Sequence, residues 1–449
     1  MINTKYFKEQ KYYSLSDYEE LFENPDVVTQ LLKNGMIKFI DNQFKFEYVG
    51  VIVIGDEIVY CYPKYINKYD NLPEDFKEIL KVIKKFKKKE TNLFYQNDEL
   101  YFSQSSLLSL MLFFIEDYYE NGTYRKTQEI LEINGNGEID WNRTINSYFP
   151  IIQKGKPYYT ELQTRRKFTD LNNYFKLLHE FIITKCSEFL ESNDLLDLFD
   201  LNSVNLSEKS KYDFGDDEYI KEKLEKELKV EFNTHNRILL NAMISYFDKM
   251  NSTNNSLLMQ YGTNEYWYVW EKMCSDVLES NLEDKIGDIF GVDLNNKSLQ
   301  NSELKDIIDY PILHLDGKNK NLSRLKPDLV IINKKKKQLF IFDAKYRNLN
   351  FSTVEDHLKL YDVNKQFLYQ LAFCELISSE NIEMVKNALL FPTYNMDEVN
   401  YRGFIEFSMF SNIKLKEIYL FDLSAHKINQ LYLNDEKMDM DKLFNEFLQ

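Results

Sequence analysis

Hydrophobic positions along this chain switch between helical and strand-like spacing. Residues 1–34 are polar, with Ser14, Ser16 and Asp17 available as caps before YEELFENPDVVTQLLKNG, whose periodic Leu and Val positions predict a short helix stopping at Gly35. From Ile37 to Ile66 the period shortens, and FEYVGVIVIG and EIVYCYPKY predict strands joined at Gly55-Asp56. PEDF opens a helix that carries the basic run KVIKKFKKK from Lys81 to Lys89, read first as a solvated face and second as a nucleic-acid or partner patch. Leu107 to Tyr119 predicts an apolar helix anchoring a first domain, and GNGEIDW predicts a turn entering a strand. Residues 157–190 predict helix, with apolar residues three and four apart from Tyr174 to Leu190. His179 lies beside that stripe and reads as a packed structural histidine. Residues 191–219 form an acidic, loop-rich connector, followed by the charged helix EYIKEKLEKELK, the helical NRILLNAMISYF and a linker, NSTNNS, at 251–256.

A third domain begins at residue 257. Thr263 is an N-cap for a helix from Glu265 to Leu282, in which Trp267, Trp270, Cys274 and Leu278 make an apolar stripe. Glu271 adjoins the stripe, and spacing alone leaves a solvent-facing and a site-facing position equally open. IIDYPILHLDG predicts the first strand, with His314 on it, near a site or structural. Next come two apolar runs, Leu329–Ile332 and Leu339–Phe342, flanking the polar Asn333–Lys337, the pattern of a buried β-hairpin. A turn about Lys335-Lys336 places Asp328 opposite Asp343, although Lys-Lys lacks the Gly or Asn that fixes a two-residue turn. Asp343 and Lys345 point to one face of their strand and Ala344 to the other. Val354 to Ser378 predicts a helix with Asp362, Gln366 and Gln370 on one face and Tyr369 one residue off it; a polar solvent face fits the same spacing. ALLFPTY, RGFIEFSMF and IKLKEIYLFDL supply further strands, so the element order is that of an α/β fold with a mixed central sheet.

Composition narrows the function. The chain has 449 residues, enough for two or three cores, and a net charge of −16. That charge argues against a protein that coats nucleic acid unaided, because nonspecific affinity comes from neutralising phosphates. The four Cys residues are far apart without metal-ligand spacing, and no two of the five His residues suggest a zinc site. Gly50 and Gly55 have phosphate-loop spacing, but a strand lies between them and no Lys follows, so no nucleotide site is assigned. The first residues lack the apolar core of a signal peptide, and the longest apolar run, Leu107–Ile115, is too short for a bilayer. A cytoplasmic protein without a membrane partner is expected.

The chemistry gathers at the open end of the hairpin. Two carboxylates one cross-strand spacing apart can share a Mg²⁺ ion, with Lys345 orienting a water or stabilising a developing anion. The plain alternative is a surface ion pair at a strand end, and Pro327-Asp328 on the preceding strand weighs against it. Pro327-Asp328 followed by Asp343-Ala344-Lys345 resembles the PD-(D/E)xK nuclease superfamily. Glu271, within YGTNEYWYVWEKMC, stands where that superfamily often has a further metal-side acid, and KQFLYQLAF at 365–373, with Gln366, resembles its Gln/Tyr-bearing helix. With YVGVIVIGDEIVYCYPKYI at 48–66 and GNGEIDWNRTI at 135–145, the chain resembles the LlaJI-type, McrC-like nuclease subunits of GTP-dependent restriction systems.

That resemblance implies three domains: an α+β N-terminal domain, 1–156, that contacts a partner GTPase; a helical middle region, 157–256; and a PD-(D/E)xK nuclease domain, 257–449. It implies Mg²⁺, with Mn²⁺ as a substitute, held by Asp328, Asp343, the Ala344 carbonyl and Glu271, and catalysis by Asp328, Asp343, Lys345, Glu271 and Gln366. The partners are double-stranded DNA and an McrB-like AAA+ GTPase, GTP acting only through the latter. Two other readings stay open: a stand-alone RecB-like nuclease, and a catalytically silent activator of a partner NTPase.

Overall fold

The computed structural model describes residues 3–18, 22, 24–55, 57–67, 72–93, 106–170, 172–252, 258–315, 318–347, 349, 360–394, 399–406, 417–439 and 443. The chain forms two compact units, one discontinuous, Met1–Asn92 with Gly262–Gln449, and one continuous, Leu93–Tyr261. This grouping differs from breaks after 156 and 256, because residues 1–92 pack with the C-terminal part. Buried or half-buried polar contacts tie the two segments of the first unit together. The Tyr346 hydroxyl donates to Glu9 at 2.6 Å, Tyr394 to Asp75 at 2.7 Å and the Asn429 amide to Glu78 at 2.8 Å. The basic run at 81–89 is used in the same way. It lies on helix Leu72–Leu93, with Lys85 paired to Asp435 at 2.6 Å and Lys89 to Asp276 at 2.9 Å, so these two lysines bind the chain itself and are not simply solvated.

A five-stranded mixed sheet lies at the centre of the C-terminal segment. Strand Gln338–Ala344 is almost wholly apolar and buried along its length, as a central strand must be. It pairs antiparallel with Leu329–Asn333, from Leu329↔Phe342 to Asn333↔Gln338. On its other side it runs parallel to Met384–Thr393, which is parallel to Glu417–Ser424, and Val399–Glu406 closes the edge antiparallel. The mixed α/β architecture is therefore as expected. So is the hairpin register, in which the ladder ends at Leu329↔Phe342 and Asp328 lies one residue beyond it. The turn is not the expected two-residue one. Lys334–Lys337 form it, Lys337 takes φ +52°, and the Asn333 side chain accepts from the Lys336 amide at 3.1 Å. A lysine pair cannot take the conformation a two-residue turn needs without strain, and a longer turn keeps the same register.

Helix Leu360–Ala372 makes the crossover that parallel pairing of Gln338–Ala344 with Met384–Thr393 requires. Its Tyr369 packs with Val330, Leu339 and Ile341, and its Val363 and Phe367 with Leu389, Phe391 and Ile418. Side chains at 339, 341 and 343 thus look towards this helix. The expected helix 354–378 is interrupted: 351–359 lie outside the described residues, and Cys374–Ser379 is a separate short helix. Helix Tyr266–Val277 is also shorter than expected. Tyr266, Val269, Trp270, Met273, Cys274 and Val277 are its buried residues, whereas Trp267 is 46% exposed and off the stripe. Among the described residues Ile312–Leu315 pairs only with Lys318–Asn321, as a separate two-stranded ribbon and not as the first strand of the sheet.

In the N-terminal segment, Val49–Ile54 and Glu57–Tyr62 form the expected antiparallel pair. Asn3–Lys8 adds a parallel strand within a stretch that reads as merely polar, carrying Phe7 into a ring cluster with Tyr13, Phe44 and Phe46. The helix runs only from Pro25 to Lys33. Asn24 caps it through the Asp26 amide, Pro25 occupies the first turn, and Gly35 at φ +65° follows its end.

In the unit Leu93–Tyr261, helices Leu107–Asn121, Tyr174–Ser192, Asp217–Leu228 and Thr234–Ser252 supply the expected helical content. Gln163–Thr169, within the stretch read as helix, is instead a strand between Thr127–Ile133 and Glu138–Ile139. His179 is structural: it is buried, its Nδ1 accepts from the Tyr124 amide at 3.1 Å, and burial lowers its pKa to about 4. No helix among the described residues is long and apolar enough to cross a membrane.

Candidate metal and phosphodiester site

Pairing of the two hairpin strands brings their acidic ends together. Asp328 follows the buried Pro327 just outside the ladder, and its Oδ2 accepts from the Ala344 amide at 2.8 Å. This bond ties one carboxylate to the strand that bears the other. Asp343 is 1% exposed, and neither of its oxygens has a hydrogen-bond donor of ordinary geometry. Its compensation is ionic. Lys345 Nζ lies 2.5 Å from Asp343 Oδ2 and 3.0 Å from Asp362 Oδ1, and Lys365 Nζ lies 4.0 Å from Asp343 Oδ1. The Lys345 amide donates to the Leu390 carbonyl at 2.8 Å, extending the parallel ladder beneath its side chain.

The electrostatics show a crowded anionic pocket. Burial, and after it the charges of Asp343 and Glu271, push Asp328 up to about 9. Burial and then Asp343 push Glu271 up to about 7, against the pull of Lys345 and Lys365. Glu271, left open by its helical spacing, is thus electrostatically part of this group. Burial disfavours the Lys345 ammonium, but Asp343 and Asp362 outweigh it and raise its pKa.

The crossover helix braces the site. Gln366 is fully buried and donates through Nε2 to the Ala388 carbonyl at 3.0 Å, so its amide nitrogen is bound to the neighbouring strand. Gln370 Oε1 accepts from Asn387 Nδ2 at 2.5 Å, and the Tyr369 hydroxyl donates to the Lys326 carbonyl at 2.6 Å, two residues before Asp328. Asp362, Gln366 and Gln370 do share a face, and it is the sheet-facing one. Sequence reasoning gave Asp362 no partner and missed Lys365. Their contacts depend on how the helix lies on the sheet, which spacing does not fix. His314 is exposed, with Nδ1 2.8 Å from Asn319 Oδ1 across its ribbon.

Tyr346 anchors the strand end on the opposite side from Lys345. Beside its bond to the buried Glu9, its ring lies 4.4 Å beneath Lys64 Nζ and 5.4 Å from the Tyr266 ring. Replacing Tyr346 with Phe leaves Glu9 buried without this donor. The expected cost is about 1–3 kcal/mol in urea unfolding.

The donor set suits a hard cation. Asp328, Asp343 and Glu271 offer only oxygen, and the buried Asp343 is compensated by ammonium charge alone. Among the described residues no three His, Cys, Asp or Glu side chains already converge as a ready metal cage. The oxygens of Asp328, Asp343 and Glu271 could take a hard divalent cation, a class that binds through one or two carboxylates and keeps several waters. A stability test follows from the raised pKa values. Both acids bind their proton more tightly folded than unfolded, so their stabilising contribution is complete below about pH 4 and is lost as pH rises through about 7 and then about 9. The metal-free chain is expected to melt at a lower temperature at pH 9 than at pH 6. Added Mg²⁺ should recover the loss at pH 9, and a calorimetric series with and without EDTA measures both effects.

Sequence comparison supplies the class. The profile of the LlaJI restriction endonuclease family matches residues 48–426, and the chain belongs to that family. It is a restriction endonuclease component of a restriction system. Among individual relatives, it is 26% identical over 458 residues to the type II restriction enzyme BsuMI component YdjA of Bacillus subtilis (strain 168), covering 98% of this chain and 91% of that protein. A solved half-complex of Thermococcus gammatolerans McrB AAA+ hexamers with bound McrC contains a chain that aligns with 96% of this one and 99% of its own length, at 12% identity and a TM-score of 0.43.

Proposed function

We propose that this chain is the DNA-cutting subunit of its restriction system, a PD-(D/E)xK endonuclease that hydrolyses phosphodiester bonds of double-stranded DNA with Mg²⁺, or Mn²⁺ in its place. One observation carries the reading: a single hairpin brings together Asp328, the buried Asp343 and the Lys345 paired to it, within reach of Glu271's charge. Asp328 and Asp343, with the Ala344 carbonyl, would hold the cation, and Glu271 adds a further carboxylate. A bound divalent cation would lower the pKa of a water and neutralise phosphate charge. Lys345, kept protonated by Asp343 and Asp362, orients that water or stabilises the developing anion. Gln366 contributes by holding the helix that carries Asp362 against the sheet.

The same reading gives the chain an McrB-like AAA+ GTPase partner, through which alone GTP acts, and a cytoplasmic location where the DNA is. In its support, the unit Leu93–Tyr261 leaves Trp141, Ile152 and Phe149 exposed by 54, 65 and 99%, large side chains that a partner could cover. A catalytically silent activator would have no need of a half-buried lysine held between two buried carboxylates. Plasmid cleavage by the purified chain tests the proposal, first alone and then with the partner and GTP. Cutting in Mg²⁺ that EDTA stops is expected. Cutting without the partner would favour the stand-alone nuclease, and none under either condition would sink the catalytic reading.

A further inference from the structure

The ribbon Ile312–Leu315 with Lys318–Asn321 is unlike every other paired element of its unit. All eight of these residues are exposed, and among the described residues it pairs with no further strand. A two-stranded ribbon alone is marginal in water, and this one also leaves Ile312, Leu313 and Leu315 exposed by 54, 41 and 62%. Its register sorts the side chains. Leu313↔Lys320 and Leu315↔Lys318 share one face, whereas Ile312↔Asn321 and His314↔Asn319 share the other. Neither Lys318 nor Lys320 has an ion-pair partner among the described residues, in a chain of net charge −16. The base is firmly held: the Leu322 amide donates to the Pro311 carbonyl at 2.8 Å, and Arg324 pairs with Asp306 at 3.2 Å while lying 5.0 Å from the Tyr310 ring centre.

Asp328 follows Asn321 by seven residue steps, so the arm begins within ~25 Å of the acidic patch even if that segment were fully extended. Free ammonium groups, amides and apolar side chains, presented on a firmly rooted ribbon a short chain length before a candidate phosphodiester site, match one occupant best. We propose that this ribbon is the arm by which the chain grips duplex DNA next to the bond it cuts, an inference that rests on the nuclease reading above. Lys318 and Lys320 meet backbone phosphates. A two-stranded ribbon fits the ~12 Å major groove, where Leu313 and Leu315, on the lysine face, lose water against thymine methyl groups. The polyanion is favoured over a protein partner by the two uncompensated lysines and by the short link to Asp328.

Fluorescence anisotropy of a labelled duplex tests the arm, using the full chain, alone and with its co-expressed partner, and Ca²⁺ in place of Mg²⁺ to prevent cutting. Lys318→Glu/Lys320→Glu is expected to weaken binding tenfold or more and to reduce the salt slope of log K by about two, since each phosphate contact contributes about 0.9. Lys318→Ala/Lys320→Ala should reduce the slope likewise with a smaller loss of affinity, and an unchanged melting temperature confirms that both variants fold. Unchanged affinity and slope, with wild-type cutting intact, would overturn the arm and leave the nuclease reading standing. Loss of self-association or of partner binding without loss of DNA affinity would overturn it too, marking a protein-docking ribbon. A wild-type chain that neither binds nor cuts DNA under any of these conditions would remove both readings together.

Discussion

Asp328→Asn is expected to lose DNA cleavage by about a thousandfold or more while gaining thermal stability at alkaline pH. The asparagine oxygen can still accept from the Ala344 amide, so the hairpin end keeps its geometry. Removed are one negative charge and one cation-binding oxygen. A cation's transition-state contribution of several kcal/mol corresponds to about a thousandfold at 1.36 kcal/mol per decade. The gain in stability follows from the raised pKa. A carboxyl pushed up to about 9 disfavours ionisation in the folded chain, and a neutral isostere removes that penalty wherever the wild-type group must ionise. Single-turnover cleavage and melting temperatures at pH 6 and pH 9 measure the two effects. A variant that cuts at the wild-type rate would remove Asp328 from the site, and one that melts lower at pH 9 would contradict the crowding.

Lys345→Met should fail in the opposite sense, losing both cleavage and stability. The Lys345 ammonium lies between Asp343 and Asp362, and its loss leaves them buried beside Asp328 and Glu271 with only Lys365 and Arg347 near. Breaking a buried pair by removing one partner costs about 3–5 kcal/mol. Addition of Asp343→Asn to Lys345→Met is expected to restore most of the lost stability and none of the activity. That separates the structural from the chemical role of the lysine. Urea unfolding at pH 8, paired with cleavage of a plasmid, is the measurement; full stability of the single variant would show that the acids are hydrated and not buried.

How much of this was readable depended on the distance over which each contact is made. The hairpin register follows from two apolar runs and the polar stretch between them, so Asp328, Asp343 and Lys345 could be brought together from local pattern alone. The shape of the turn could not, because it depends on the Asn333 side chain and on Lys337 taking positive φ. Asp362 and Lys365 reach the acids only because the crossover helix packs on one face of the sheet. Asn3–Lys8 escaped notice because its parallel partner, Glu57–Tyr62, comes some fifty residues later and its own residues look polar. Ile312–Leu315 misled in the other direction. Three apolar residues in four read as a strand of the sheet, and nothing in so short a stretch reveals that they stand in solvent.

The hydrogen bond between Glu9 and Tyr346 spans 337 residues of chain. At roughly 5–20 residues per second of synthesis, Glu9 waits roughly 20 to 70 seconds on the ribosome before its partner has been made. Strand Glu417–Ser424, which lies inside the sheet, is later still. A nascent chain therefore already carries Asp328, Asp343 and Lys345 while the scaffold that orients them is unfinished. Translation that stops before Glu417–Ser424 leaves Asp328, Asp343 and Lys345 without the completed sheet that orients them.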